Sequence, residues 1–238
     1  MPPAADIADN LAAVRRRLSA AAQRAGRKDS DITLIAVSKT FAADDVRAAA
    51  TAGQVQFGEN RVQEGLDKID ALKDLPLEWH LIGHLQSNKA KKAVAFQWIQ
   101  SIDSRELLRK IDGAASEADV RPQILLQVDL ANESTKFGAD ETIVGDLVKA
   151  ALDAKAVELR GLMIVPPIPE QPDASRPWFR RLRDLRDSLV ASGTPAVRLA
   201  HLSMGMSDDF EVAIEEGATI VRVGSAIFGR RPPGMVAG

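Results

Sequence analysis

The sequence places a lysine where covalent chemistry is possible. Residues 32–37 form a short apolar run with several β-branched side chains, which predicts a strand buried on both faces. Lys39 follows this run, so its amine is expected at a strand end, partly removed from water. Desolvation lowers the pKa of a lysine, and an unprotonated amine condenses with a carbonyl to form a Schiff base. The alternative is a rim lysine that extends into water or pairs with a carboxylate.

Two turns near the C-terminus combine glycine with hydroxyl side chains. Ser203 and Gly205 lie in one of them, and Gly224 and Ser225 lie in the other. Glycine permits close approach of a ligand to the backbone, and N–H groups at the start of a helix attract an anion. One such turn is weak evidence, because many are simply tight turns. The two together favour a phosphate ligand.

A charged residue interrupts the last apolar run. In a strand over residues 219–223, alternation places Arg222 on the same face as Ile220 and Gly224. A buried guanidinium needs a partner, either a carboxylate of the protein or an acceptor atom of a ligand. Pyridoxal 5′-phosphate (PLP) has an aldehyde for Lys39, a phosphate for the two turns and a ring nitrogen for Arg222. A phosphosugar aldolase or phosphosugar binder without PLP fits only the first two features.

Alternating strand and helix patterns predict the scaffold that brings these residues together. A helix at about residues 5–26 precedes eight short apolar runs that alternate with helical patterns across residues 32–229. This count predicts an α/β fold, a single (β/α)8 TIM barrel whose working face lies at the C-terminal ends of the strands. An open doubly wound sheet has the same local patterns and is the alternative. No linker divides residues 1–238, so one domain is expected, and residues 230–238 are expected to form a loose tail.

Composition excludes several classes of function. The formal net charge is −2, which disfavours a dedicated nucleic-acid or membrane-surface protein. The chain has no cysteine and no tyrosine, which removes thiolate and phenol chemistry. No two of its three histidines lie four apart on a predicted helix, so no metal is expected. With neither a signal peptide nor a long apolar segment, we expect a cytoplasmic protein. No long heptad pattern or exposed apolar stripe argues for a dimer, so a monomer is expected.

Six segments of the sequence resemble the pyridoxal phosphate homeostasis protein family, whose members are similar to the N-terminal barrel of bacterial alanine racemase. The resemblance extends from about Ile32 to Gly229, and the six segments together are highly specific. These segments are Ala36-Val37-Ser38-Lys39, Phe57-Gly58-Glu59-Asn60, Trp79-His80-Leu81-Ile82-Gly83-His84-Leu85-Gln86, Gly161-Leu162-Met163, Leu202-Ser203-Met204-Gly205-Met206-Ser207-Asp208-Asp209 and Arg222-Val223-Gly224-Ser225-Ala226-Ile227-Phe228-Gly229.

The resemblance implies a role for each matched position. Lys39 would carry PLP as an internal aldimine, and Arg222 would face the pyridine nitrogen. The residues implied to hold the phosphate are Ser203, Gly205, Gly224 and Ser225. Asn60 and Met163 would line the cofactor pocket, and Lys136 matches a basic position near its mouth. Arg61 stands where the family often has tyrosine, which removes any phenol from that place.

The resemblance also implies a PLP carrier or buffer in PLP homeostasis, with effects on amino-acid metabolism and with PLP-dependent apo-enzymes as possible acceptors. Racemisation requires a base on each face of the substrate. In two-domain alanine racemases the second base is a tyrosine of another domain, and this chain has no tyrosine. A carrier without established turnover is therefore expected, and a PLP-dependent amino-acid racemase or weak transaminase is the alternative.

Overall fold

The eight apolar runs form parallel strands that close into a barrel. The computed structural model describes residues 4–131 and 137–229. Its strands are β1 Thr33–Val37, β2 Gln56–Glu59, β3 Glu78–Leu81, β4 Trp98–Ile102, β5 Gln123–Asp129, β6 Ala139–Asp140, β7 Glu158–Met163, β8 His201–Ser203 and β9 Ile220–Val223. The strand order is β4-β3-β2-β1-β9-β8-β7-β5, and pairing between β4 and β5 closes the ring, with β6 as a short addition to β5. The closure confirms the predicted barrel and excludes the open sheet.

Helices cover the outside of the ring of strands. They are α1 Ala4–Arg24, α2 Ala43–Thr51, α3 Val62–Ala71, α4 Ala90–Ala93, α5 Arg105–Glu117, α6 Glu141–Asp153, α7 Arg176–Ala191, α8 Phe210–Glu215 and α9 Ser225–Phe228. Parallel strands need such crossover connections, because consecutive strands must start at the same end of the barrel. The C-terminal ends of all the barrel strands therefore lie at one face of the barrel, together with the turns that follow them.

The N-terminal helix α1 packs where the first and last units of the barrel meet. Its buried apolar face includes Ile7, Leu11, Val14 and Leu18, which recur at helical spacing and pack towards α2, α8 and α9. Asn10 donates a hydrogen bond from Nδ2 to the carbonyl oxygen of Ile227, 3.1 Å away. The helix thus supports the short α9, which begins the last turn of the candidate site.

Two separate cores result because side chains along each strand point alternately outwards to the helices and inwards to the barrel interior. The larger core lies between the strands and the helices. The smaller fills the barrel interior and contains Ile35, Val37, Trp98, Leu125, Met163 and Ile220. Polar side chains share this interior, and His80, Gln100 and Ser203 are inaccessible to solvent there. Buried polar groups require hydrogen-bond partners, so these residues must be arranged specifically.

Some boundaries differ from those that the local patterns predict. The apolar pattern predicts a strand over residues 199–202, whereas the strand is His201–Ser203, because residues 196–199 form a 3-10 turn after Pro195. The pattern predicts a helix from residue 207, whereas the helix begins at Phe210, because the Asp209 carboxylate accepts from the backbone N–H of Met206 and closes a turn there. It predicts a helix from about residue 139, which begins at Glu141, after the two-residue strand β6. Lys136 and the expected tail, residues 230–238, lie outside the described residues.

Within the described ranges, no helix combines the length and apolar character needed to cross a bilayer. Across the same ranges, no three His, Asp or Glu side chains gather in a way that could hold a metal ion.

Candidate functional site

A cavity of about 650 Å³ opens at the C-terminal ends of the strands. The turns after β1, β2, β7, β8 and β9 contribute to its wall. Five of the eight residues predicted for cofactor binding lie on that wall: Lys39, Asn60, Arg222, Gly224 and Ser225. Its volume is within the range of pockets that enclose small ligands. Residues that are distant in the chain therefore meet around one cavity large enough for a cofactor.

The turn that carries Lys39 has an unusual backbone. Ser38 before it is fully buried, and Thr40 after it has φ of 69°, a left-handed conformation that residues other than glycine adopt infrequently. Phe41 then packs its ring against Phe228 of α9, with 5.1 Å between centroids. The backbone on both sides of Lys39 is thus constrained, which fixes the point from which its side chain enters the cavity.

A buried charged cluster lies directly beneath this turn. Lys68 of α3 donates from Nζ to the carbonyl oxygen of Ser38 and to Oε1 of Glu59, each at 2.7 Å. The Ser38 hydroxyl donates to the same Glu59 oxygen at 2.6 Å. Glu64 accepts from Lys68 and from the backbone N–H of Thr40. These bonds hold the turn on both sides of Lys39.

The charges of this cluster are strongly affected by burial. Glu59 is inaccessible to solvent, and burial raises the pKa of its carboxyl group, although Lys68 and Ser38 oppose the shift. Its Oε2 atom is buried and has no hydrogen-bond partner in the described part of the chain. Desolvating a buried ion pair often costs more than the attraction returns. The cluster therefore serves mainly to fix the position of the turn and adds little to the stability of the fold.

Arg222 approaches the cavity from inside the barrel. The residue is 4% exposed and donates from Nη1 to the Ser203 hydroxyl at 2.6 Å and from Nη2 to the carbonyl oxygen of Ile164 at 2.8 Å. Neither partner is the carboxylate or ligand acceptor considered from the sequence. Burial lowers the pKa of Arg222 to about 10, so the group stays protonated at neutral pH. A guanidinium has five N–H donors, and these two bonds leave others for an acceptor in the cavity.

Backbone N–H groups of the turn after β9 bond to a hydroxyl side chain of the cavity wall. The hydroxyl of Ser207 accepts from the N–H groups of Gly224 and Ala226, at 3.2 and 3.4 Å. Ser207 also lines the cavity, although its residue type and spacing did not predict it as a site residue. The sequence feature that could have indicated Ser207 is its position two residues after Gly205, in the same glycine–hydroxyl segment as Ser203.

Three of the predicted residues, Met163, Ser203 and Gly205, do not lie on the cavity wall. Met163 is fully buried in the interior core, and Ser203 is a partner of Arg222. Gly205 has φ of +92°, and a Cβ there would lie 2.5 Å from the Cβ of Ala213. Glycine at this position satisfies the turn and the packing against α8. Arg61, at the position where the family often has tyrosine, is exposed and immediately precedes α3.

His80 lies in the barrel interior with both ring nitrogens hydrogen-bonded. Nε2 lies 3.0 Å from Oε1 of Gln56, and Nδ1 lies 3.0 Å from Nε2 of Gln100. Its ring also stacks on Trp98, with 5.3 Å between centroids. Burial, with a smaller contribution from His201, lowers the pKa of His80 from 6.5 to about 3. The ring is therefore neutral in the folded protein at physiological pH.

This lowered pKa predicts acid sensitivity of the fold. The unfolded chain takes up a proton on His80 near pH 6.5 while the folded chain does not, so His80 stabilises fully above that pH and its contribution is lost as the pH falls towards about 3. Between about pH 6.5 and about pH 4 the loss is on the order of 3 kcal/mol. Urea unfolding of the wild type and of His80→Asn across this range measures the difference.

Glu59 changes stability with pH in the opposite direction, because burial raises its pKa and acid therefore favours the folded state. Glu59 is present in both proteins, so its contribution cancels when their stabilities are compared. His84→Asn is the matched control, since that side chain is 34% exposed. If His80→Asn and the wild type lost equal stability with acid, the lowered pKa of His80 would be contradicted.

Comparison with known proteins identifies the class of barrel first. A family model described as "Alanine racemase, N-terminal domain" matches residues 10–232. The fold of an alanine racemase from Streptomyces coelicolor A3(2) superposes with a TM-score of 0.67 at 22% identity, covering 93% of this chain and 59% of that one. The structure is therefore a barrel of the alanine racemase N-terminal-domain type.

Closer relatives identify the family. A pyridoxal phosphate homeostasis protein of Aquifex aeolicus is 44% identical over 94% of this chain and 97% of its own. The corresponding protein of Escherichia coli is 43% identical, with coverage of 95% and 97%. The structure of PipY from Synechococcus elongatus with PLP bound has a TM-score of 0.83 and 40% identity, and covers 94% of this chain and 100% of that one. The chain belongs to the pyridoxal phosphate homeostasis protein family.

Proposed function

We propose that this protein binds PLP through a Schiff base on Lys39 and acts as a PLP carrier or buffer in PLP homeostasis, with effects on amino-acid metabolism. One observation carries the proposal. Lys39, Arg222, Gly224 and Ser225 line a single cavity, and Ser207 on its wall accepts from the N–H groups of Gly224 and Ala226. The chain is also 40% identical to a relative with bound PLP. The lysine amine is a nucleophile for the aldehyde of PLP. The buried guanidinium is a hydrogen-bond donor for its ring nitrogen, and the backbone N–H groups are donors for its phosphate.

Each of these groups has a distinct part in binding. Lys39 Nζ forms a C=N bond with the aldehyde carbon, and the aldehyde oxygen leaves as water. Arg222 donates to the ring nitrogen, which must accept because a guanidinium has no acceptor atom. The N–H groups of Gly224 and Ala226, which donate to the Ser207 hydroxyl, would become available to a phosphate oxygen if the Ser207 side chain turned away. With Ser207 in place, its hydroxyl can itself donate to that oxygen.

The same residues favour retention of the cofactor over turnover. When bound, PLP supplies an electron sink that is strongest with a protonated ring nitrogen. A cation at that nitrogen disfavours its protonation, and Arg222 keeps its own proton at neutral pH. No tyrosine is available as a second base for racemisation. A stored cofactor would pass to other proteins, and PLP-dependent apo-enzymes are the acceptors we propose. We expect the carrier to act as a monomer.

Absorbance spectroscopy tests the proposal directly. Protein purified with PLP is expected to show a visible band that disappears on borohydride reduction, and peptide mapping is expected to find the reduced adduct on Lys39. A protein without the band, or an adduct at another lysine, would contradict the assignment. A phosphosugar binder without PLP would give neither signal.

A chiral assay tests the alternative, an amino-acid racemase or weak transaminase. Lys39 can serve as a single base within a cavity open to water, which is the observation that keeps the alternative in consideration. With L- and D-alanine and serine we expect turnover far below the median of about 10 per second for enzymes. A rate near that median would replace the carrier with an enzyme.

A further inference from the structure

Arg222 is the first member of a hydrogen-bonded chain that crosses the barrel interior. Its Nη1 donates to the Ser203 hydroxyl at 2.6 Å, and that hydroxyl donates to Oε1 of Gln100 at 2.7 Å. The amide Nε2 of Gln100 lies 3.0 Å from Nδ1 of His80, whose Nε2 lies 3.0 Å from Oε1 of Gln56. We call these five residues the interior chain.

Donors and acceptors in the interior chain have only one consistent arrangement. Arg222 can only donate, so the Ser203 oxygen accepts and its proton points to Gln100. The Gln100 carbonyl then accepts and its amide donates to Nδ1 of His80, which places the His80 proton on Nε2. This arrangement requires a neutral imidazole, and burial lowers the pKa of His80 to about 3. Every bond therefore follows from the charge on Arg222.

The surroundings of the interior chain prevent rearrangement. Its members come from five strands, β2, β3, β4, β8 and β9, so each is fixed by a separate part of the barrel. His80, Gln100 and Ser203 are inaccessible to solvent, which means that water cannot replace a lost partner. Trp98 stacks on the His80 ring and fixes its plane. A fully satisfied buried network of this kind makes one side-chain geometry rigid.

We propose that Gln100 and His80 are positioning residues that hold the Arg222 guanidinium towards the ring nitrogen of bound PLP. The proposal rests on the proposed function, because it takes PLP as the ligand of the cavity. Without the interior chain, the Ser203 oxygen is free to rotate away and Arg222 keeps only its bond to the Ile164 carbonyl. The guanidinium then samples several positions, and the ring nitrogen loses its constant cationic neighbour.

The first test uses the protein without PLP and measures Arg222 itself. Proton exchange of the Arg222 guanidinium N–H groups, followed by NMR, is expected to accelerate about tenfold or more in Gln100→Leu, because the Ser203 hydroxyl loses the acceptor that fixes its orientation and its bond to the charged guanidinium is weakened. Ser203→Ala breaks the chain one bond nearer to Arg222 and is expected to give the same result. It provides the test in case Gln100→Leu does not fold.

Ser101→Ala is the matched control. Ser101 is as fully buried as Ser203, but its hydroxyl makes no hydrogen bond among the residues that the structure describes. The chemical change is the same, and only one of the two serines belongs to the interior chain. Equal Arg222 exchange in Ser203→Ala and Ser101→Ala would overturn the proposal.

The second test uses PLP labelled with 15N in the ring. Relative to Ser101→Ala, Gln100→Leu is expected to bind PLP about tenfold more weakly and to leave a larger fraction of the ring nitrogen protonated at neutral pH. Lys39, Asp208 and Asp209, the other charged residues on the cavity wall, are unchanged in both proteins. An unchanged affinity and 15N shift would contradict positioning of Arg222 towards the ring, whereas absence of PLP binding in the wild type would contradict the proposed function instead.

Discussion

Lys39→Ala is expected to abolish the visible absorbance band of the protein with PLP. The substitution removes the amine that forms the C=N bond, and an alanine side chain offers no other nucleophile. The turn itself should persist, because Lys68 and Glu64 bond to the backbone of Ser38 and Thr40 and not to the Lys39 side chain. Absorbance spectra before and after gel filtration, together with the PLP content of the protein peak, measure the effect.

Lys73→Ala is the control for this experiment. Its side chain is 77% exposed, and its ammonium group pairs with Asp70, outside the cavity. We expect the spectrum of this variant to match the wild type. A full band in Lys39→Ala, with thermal unfolding unchanged, would assign the covalent bond to a different lysine and remove the basis of the proposed function.

Gly161→Ala is expected to destabilise this barrel strongly. Gly161 of β7 lies opposite His201 of β8, and a Cβ at residue 161 would lie 1.9 Å from the His201 carbonyl oxygen. Backbone atoms cannot move aside as a flexible side chain can, so the two strands must separate. We expect a loss of at least about 3 kcal/mol in the free energy of unfolding. Urea unfolding followed by circular dichroism measures it.

Gly113→Ala provides the opposite expectation from the same chemical change. Gly113 lies within α5, and nothing lies within 4 Å of a Cβ built there. Alanine lowers the conformational entropy of the unfolded chain and favours the helix, so this variant should gain about 0.5–1 kcal/mol. Wild-type stability in Gly161→Ala would mean that β7 and β8 are not packed as closely as the structure shows.

Several features of the site were accessible from the sequence, because they depend on local patterns. The apolar run before Lys39 is strand β1, and the alternation around Arg222 correctly places that residue with Ile220 in the barrel interior. Serine is a preferred helix N-cap residue, and the Ser104 hydroxyl accepts from the Leu107 N–H at the start of α5. Periodicity and capping act over a few residues, so the sequence alone contains them.

Features that depend on contacts between distant strands were not accessible. Ser203 has the residue type of a phosphate ligand, but its hydroxyl lies between Arg222 and Gln100, and the latter is 103 residues away. No local pattern distinguishes Ser207, whose hydroxyl accepts from the N–H groups of Gly224 and Ala226. The role of a hydroxyl is set by which strand lies opposite it, and strand register across the barrel is not written in any local pattern.

The order of strands and helices, the strand end that carries Lys39 and the inward face of Arg222 all follow from short-range periodicity. The closed barrel also required a pairing between strands at opposite ends of the chain, β1 with β9. Tertiary structure alone decided which buried polar groups are partners. It joined Ser203, Gln100 and His80 in the interior chain and brought Lys68 beneath the Lys39 turn. The physical reason is that a desolvated polar atom must find a partner within about 3 Å, and folding determines which atoms are that close.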